Sequence, residues 1–123
     1  MQNLVNQAIR STENFKSRNY EAYKEISLVE LRSDVAEYFE LTLDKFTSSS
    51  RLAVRAKARA FFSYYCYEYL PNYSDSVVGQ LINRHRTNVI HLVKKIKDAK
   101  TYDPVLWTEY KNFCLYLEVE KKY

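Results

Sequence analysis

Arg84, His85, Arg86, Thr87, Asn88, His91, Lys94 and Lys95 crowd into one short stretch of the chain. An arginine fork can hold guanine O6 and N7 together, an asparagine can hold adenine N6 and N7, and threonine and histidine reach single acceptors. Lysines neutralise phosphates without reading bases. A second cationic set, Arg51, Arg55, Lys57 and Arg59, stands earlier in the chain. Together these side chains suit recognition of a polyanion, with duplex DNA the partner that uses all of them. They do not suit covalent chemistry. A single glycine cannot build a nucleotide-binding loop. His85 and His91 fall on different helix faces and have no Cys, Asp or Glu at ligand spacing. Asp34 and Glu37 share a helix face as an ordinary solvated pair. No serine or cysteine has a histidine beside it in a recognisable nucleophile motif. Neither an enzyme nor a cofactor is expected.

The elements that must position the first set run from Ser74 to Lys97. Val78, Leu81 and Ile82 give a short helix an apolar edge, and Asn83, Arg84 and His85 form a turn. Val89, Leu92, Val93 and Ile96 then follow the i, i+3, i+4, i+7 spacing of a core-facing stripe. Thr87, His91 and Lys94 fall opposite, with Asn88 and Lys95 on the flank. Gly79, inside the first helix, costs about 1 kcal/mol relative to alanine, which close packing against the second helix would explain. This is the layout of a DNA recognition helix. It is equally the layout of an ordinary solvated helix pair, and the periodicity alone leaves both readings open.

Charge distribution favours the first. Residues 1–50 carry 6 Lys/Arg against 8 Asp/Glu, residues 51–100 carry 10 against 3, and residues 101–123 carry 3 against 4. The whole positive excess therefore surrounds the helix pair, as a field that attracts polyanions requires. At 123 residues, with 46% hydrophobic and 15% aromatic residues, the chain can bury a core of its own. It contains no apolar run long enough for a membrane span, and MQNLVNQAIR lacks the pattern of a signal peptide. Cys66 and Cys114 sit in aromatic helical segments and read as buried thiols of a cytoplasmic protein.

In chain order, residues 1–25 read as a weakly amphipathic helical extension and residues 26–123 as the domain proper. Ser27 and Glu30 could form a capping box for a helix over 27–40. A helical turn follows at Leu43–Phe46, then a serine-rich loop, then a helix from Ala53 to Leu70. The aromatic half of that helix, FFSYYCYEYL, follows its basic half without alternating with it. The rings are therefore expected in the core, not stacked on bases. After Lys97, DAKTYDP breaks the chain, with Asp103 and Pro104 opening a last helix that turns Leu106, Tyr110, Phe113 and Leu117 inward. The expected fold is all-α, a compact domain of five or six helices.

Three of these stretches resemble the C-terminal DNA-binding domain of the bacterial replication initiator DnaA, and in the same order. VAEYFELT (Val35–Thr42) is similar to that family's VAEYFGLT and is followed by DKF and SSSR. AVRAKAR (Ala53–Arg59) is similar to its basic SVARPR stretch. VGQLINRHRTNVIHLVKKI (Val78–Ile96) is similar to IGxxFGGRDHxTVxHAxRKI. The resemblance implies a Trp-repressor-like helix-turn-helix that binds double-stranded DNA as a monomer, in replication or transcription control, with a replication or regulatory protein as a further partner. It implies that Arg51 or Arg55 enters the minor groove, while Arg84, Thr87, His91, Lys94 and Lys95 match family positions. The departures concentrate in the reading segment. His85 replaces an Asp, Arg86 a His and Asn88 a Thr or Ser, one turn glycine is missing, and Glu40 replaces a helix-ending glycine. A preferred DNA sequence different from the family's is then expected. The alternative is a protein-interaction module that keeps the scaffold and has lost DNA reading.

Overall fold

The computed structural model describes residues 26–123. The helical extension expected over residues 1–25 lies outside the described residues. Six helices and no strand are present among those described: α1 Leu28–Tyr38, α2 Leu43–Phe46, α3 Ala53–Tyr69, α4 Asp75–Leu81, α5 Arg86–Tyr102 and α6 Pro104–Glu120. The domain is all-α, as the periodicities indicate.

Local chemistry sets most of the boundaries. The hydroxyls of Ser27, Thr42 and Ser74 accept from the backbone N–H three residues on and cap α1, α2 and α4. Asp103 ends α5 and caps α6 through a bond from the Leu106 N–H to its Oδ1 at 3.1 Å. Pro104 disfavours helical geometry in the residue before it and occupies the first position of α6, where no N–H is needed. The expected end of the recognition helix near Lys97 is corrected by more than a turn. Nothing in Asp98–Tyr102 breaks a helix, Ala99 continues the buried stripe, and Lys94 pairs with Asp98 one turn along at 2.7 Å.

Both chain reversals that the resemblance made doubtful are closed without glycine. After α1 the Leu41 N–H bonds to Ala36 O at 2.8 Å and the Glu40 N–H to Glu37 O at 3.0 Å. After α4 the Arg84 N–H bonds to Gly79 O at 2.8 Å and the Asn83 N–H to Gln80 O at 3.3 Å. These are paired bonds of the Schellman type, which need one left-handed residue. Glu40 (φ 58°) and Asn83 (φ 57°) supply it. Asparagine tolerates that region readily, whereas a glutamate there carries a strain of about 1–2 kcal/mol.

Helix α3 is the central element and packs on α1, α2, α4 and above all α5. Most of its aromatic half is core, as expected: Phe61, Phe62, Tyr64, Tyr65 and Cys66 are buried, while Tyr67 is exposed. Phe61 meets Tyr110 and Phe113 of α6, and Tyr64 meets Tyr110 and Trp107, with centroid separations of 5.0–6.2 Å and mostly edge-on geometry. The Tyr110 hydroxyl donates to Glu68 Oε1 at 2.9 Å, so the buried ring brings no orphaned polar group with it. Both cysteines are free thiols, and burial pushes that of Cys114 up to about 12.

Two substitutions probe the reversals. A methyl group on Gly79 would overlap the Arg84 carbonyl oxygen, which is backbone and cannot step aside. Gly79→Ala is therefore expected to lower stability by about 1–3 kcal/mol in urea denaturation, despite alanine's better helix propensity. Glu40→Gly is expected to raise stability by about 0.5–1 kcal/mol, because relief of the left-handed strain exceeds the added entropy of the unfolded chain.

Candidate nucleic-acid interface

The interface is built where α4 hands over to α5. The Asn83 reversal sends the chain back at once. Arg32 of α1 then holds the end of α4 through a 3.0 Å bond from Nη1 to Leu81 O. His85 is extended (φ −68°, ψ 153°) and caps α5, with its Nδ1 accepting from the Thr87 N–H at 3.1 Å. Since Nδ1 must offer a lone pair there, the ring proton of the neutral imidazole lies on Nε2, and the outer edge of His85 is a donor. The Thr87 hydroxyl also contacts Nδ1 at 3.1 Å. Val89, Val93 and Ile96 are buried, while Arg86, Thr87, Asn88, His91, Lys94 and Lys95 are all exposed. The dry inner face and the cationic outer face thus occupy the sides that the spacing assigns them.

The second cationic set divides. Arg59 is only 3% exposed. Its Nη1 donates to Phe46 O at 2.8 Å and Ser48 O at 3.2 Å, and its Nη2 donates to Ser50 O at 2.5 Å. The expectation that Arg59 is a phosphate contact is therefore corrected. The position is one turn beyond Arg55 and faces into the 46–50 loop, where the guanidinium replaces a missing set of backbone partners. Lys57 faces another way. Two residues along a helix is a rotation of about 200°, which takes Lys57 away from Arg55 and Arg59 and onto α6, where it pairs with Glu109 at 2.9 Å. Arg51 is exposed and Arg55 half-buried.

The two regions meet through Arg84. Its Nη2 donates to Ser48 O at 2.7 Å, the carbonyl that Arg59 also uses, and its Nη1 donates to Asn83 O at 3.1 Å. Burial is the main influence that lowers the Arg59 pKa to about 10, and the neighbouring charges of Arg84 and then Arg55 lower it further. Three guanidiniums from α3 and the α4–α5 turn consequently share one side of the molecule. The loop between them is itself pinned. Ser48 Oγ donates to Lys45 O at 2.8 Å and accepts from the Ser50 N–H at 3.3 Å, and Ser50 Oγ accepts from the Leu52 N–H at 3.2 Å. Sequence reasoning missed this role of the serines. The available signal was alternate serines just before a basic helix, where a hydroxyl can bond the N–H two residues on.

The outer cations differ in freedom. Lys94 is bound to Asp98, which raises its pKa through that hydrogen bond first. Lys95 makes no ion pair with a described residue. No group of three or more metal-ligating side chains occurs among the described residues, and none of their helices is long and apolar enough to cross a membrane.

A short helix, a tight reversal and a second helix with a buried inner stripe and a cationic rim define a helix-turn-helix domain of the DNA-binding class. The profile of the bacterial DnaA protein helix-turn-helix matches residues 30–96, and the chain belongs to that family. It is 40% identical over 74 residues to the chromosomal replication initiator protein DnaA of Clavibacter sepedonicus, and equally to that of Clavibacter michiganensis subsp. michiganensis. It is 39% identical over 74 residues to that of Leifsonia xyli subsp. xyli. Each match covers 59% of this chain and 15% of the relative, so the chain corresponds to a small part of those proteins.

Two outcomes test the geometry. Arg59→Ala strands three carbonyls and is expected to cost roughly 2–4 kcal/mol of stability, seen as a lower urea midpoint in the absence of any nucleic acid. A residue that served only to touch phosphate would leave that midpoint unchanged. His85→Asp places a stronger, negatively charged acceptor at the α5 N-terminus and should raise stability by roughly 0.5–1 kcal/mol, read in the same denaturation experiment.

Proposed function

We propose that this domain binds duplex DNA in a sequence-dependent manner, with the start of α5 in the major groove. The observation that carries the reading is the convergence of Arg55, Arg59 and Arg84 beside the exposed residues 85–88. Arg86 and Asn88 have the side chains suited to bidentate reading of guanine and adenine, with Thr87 and His85 adding single contacts. His91, Lys94 and Lys95 lie along the same helix, and Arg84 in the turn before it, for phosphate contacts, and Arg51 or Arg55 is proposed for the adjacent minor groove. Arg59 acts behind them by holding the loop that Arg84 also grips. The unit is residues 26–123, and it binds as a monomer on a single site.

The relatives are chromosomal replication initiators, and the family membership supports a role in replication, exercised in the cytoplasm where the chromosome lies. Transcription control is the nearest variant, since a helix-turn-helix bound near a promoter also blocks or recruits polymerase. Because His85, Arg86 and Asn88 depart from the family pattern at the reading positions, the preferred sequence differs from that of the relatives.

Selection from a random duplex library tests the proposal, and failure to enrich any motif would defeat it. If about six phosphates are neutralised, the log–log dependence of affinity on salt has a slope near −5. On the selected site, Arg86→Ala is expected to cost about 1–3 kcal/mol and to relax preference at one base pair. Lys95→Ala is expected to weaken all sequences alike. Equal loss on specific and random duplexes would remove Arg86 from the reading set.

A further inference from the structure

Helix α6 gives one face to the core and a second, regular face to solvent. Val105, Thr108, Asn112, Leu115 and Val119 follow one another at intervals of three, four, three and four residues. That is the repeat that keeps one stripe of a helix against one partner helix. All five are exposed, and Val105, Leu115 and Val119 show 70%, 56% and 59% of their surface. On the helical wheel the stripe lies opposite the buried Tyr110, Phe113 and Leu117. Lys111 and Glu118 stand one heptad apart along one flank, both exposed, and neither pairs with a described residue.

We propose that this stripe is a self-association surface on which two copies of the chain pack antiparallel along their α6 helices. Charge complementarity selects the occupant, the direction and the register. A two-fold pair centred between Asn112 and Leu115 sets Lys111 of each copy beside Glu118 of the other, twice by symmetry. Sliding the helices by one heptad in either direction would oppose Lys111 to Lys111 or Glu118 to Glu118. A parallel pair would bring Lys111 towards Tyr116 and form no ion pair along this flank. In the chosen register Asn112 of each copy lies level with Leu115 of the other, once on either side of the axis, and Thr108 lies level with Val119. A polar residue at such a position fixes register at some cost in affinity.

The contact is one helix pair about 25 Å long, which falls short of the roughly 1,200 Å² that marks the lower end of stable interfaces. Association in free solution is accordingly weak. It becomes effective when two copies sit on neighbouring sites of one DNA, where the second contact is intramolecular and the effective concentration is on the order of millimolar. The surface does not depend on the DNA-reading residues, so a domain that binds each site as a monomer can still couple two sites.

Sedimentation velocity of the full chain, from about 10 μM to about 1 mM, tests this. The wild type is expected to shift from monomer towards dimer across that range. Lys111→Glu and Glu118→Lys should each weaken association by about tenfold or more, since each creates two like-charge contacts. An equimolar mixture of the two variants should regain wild-type association, because each charge then faces its opposite in the mixed dimer. A mixture that stays monomeric overturns the proposal. So does a wild type that stays monomeric throughout, which would leave the stripe to residues 1–25 or to a different protein. Affinity for a duplex with a single site should be the same for all three proteins, so failure of DNA binding would count against the function proposed above and not against this surface.

Discussion

The guanidinium of Arg59 is the interaction on which the rest of the candidate interface depends. The segment between α2 and α3 is too short and too polar to form a core of its own, and its carbonyls at Ser48 and Ser50, with that of Phe46 at the end of α2, meet at one guanidinium. A buried cation satisfies all three, and in return they offset the cost of removing its charge from water. The loop's geometry then determines where Arg51 and Arg55 emerge. The shared Ser48 carbonyl also ties that loop to Arg84 and so to the start of α5. One side chain thus connects two basic regions that are far apart in sequence.

Holding Arg55, Arg59 and Arg84 close together is unfavourable when the domain stands alone, and the downward shift of the Arg59 pKa registers part of that repulsion. No carboxylate forms an ion pair with any of the three among the described residues. The ion pairs that do form among the described residues hold other cations: Glu109 holds Lys57, Asp98 holds Lys94, and Asp34 and Glu37 hold Lys121. A phosphate arriving at this side therefore meets cations whose mutual repulsion it relieves, and it displaces no internal ion pair from them. That arrangement favours a polyanionic partner over a neutral one.

Much of the architecture was legible because each helix carries its own signals. Ser27, Thr42, Ser74 and Asp103 act as caps over a single turn, and the inward stripes of α1, α5 and α6 repeat at helical period. Such local information survives in a linear reading. What escaped it depends on direction in space. Whether a basic residue of α3 faces the loop, α6 or solvent follows from a rotation of about 100° per residue about an axis that the sequence does not supply. That is why Arg55, Lys57 and Arg59 looked alike and proved different. The length of α5 was misjudged for the opposite reason. The DAKTYDP stretch after Lys97 suggested a break from its start, yet only Asp103 and Pro104 in it have the stereochemistry to make one.

His85 joins two duties that most domains of this architecture could keep apart. Its Nδ1 caps the helix, and the exposed ring leaves Nε2 for the proposed ligand. Replacement by a residue with no acceptor would loosen the helix start, while replacement by aspartate, asparagine, serine or threonine would keep the start and change what is displayed outward. The evolutionary routes to a new DNA preference at this position are therefore confined to a handful of side chains. A change of binding preference at this position that keeps the helix start must run through that narrow set, a constraint that position 88, with no capping bond, does not share.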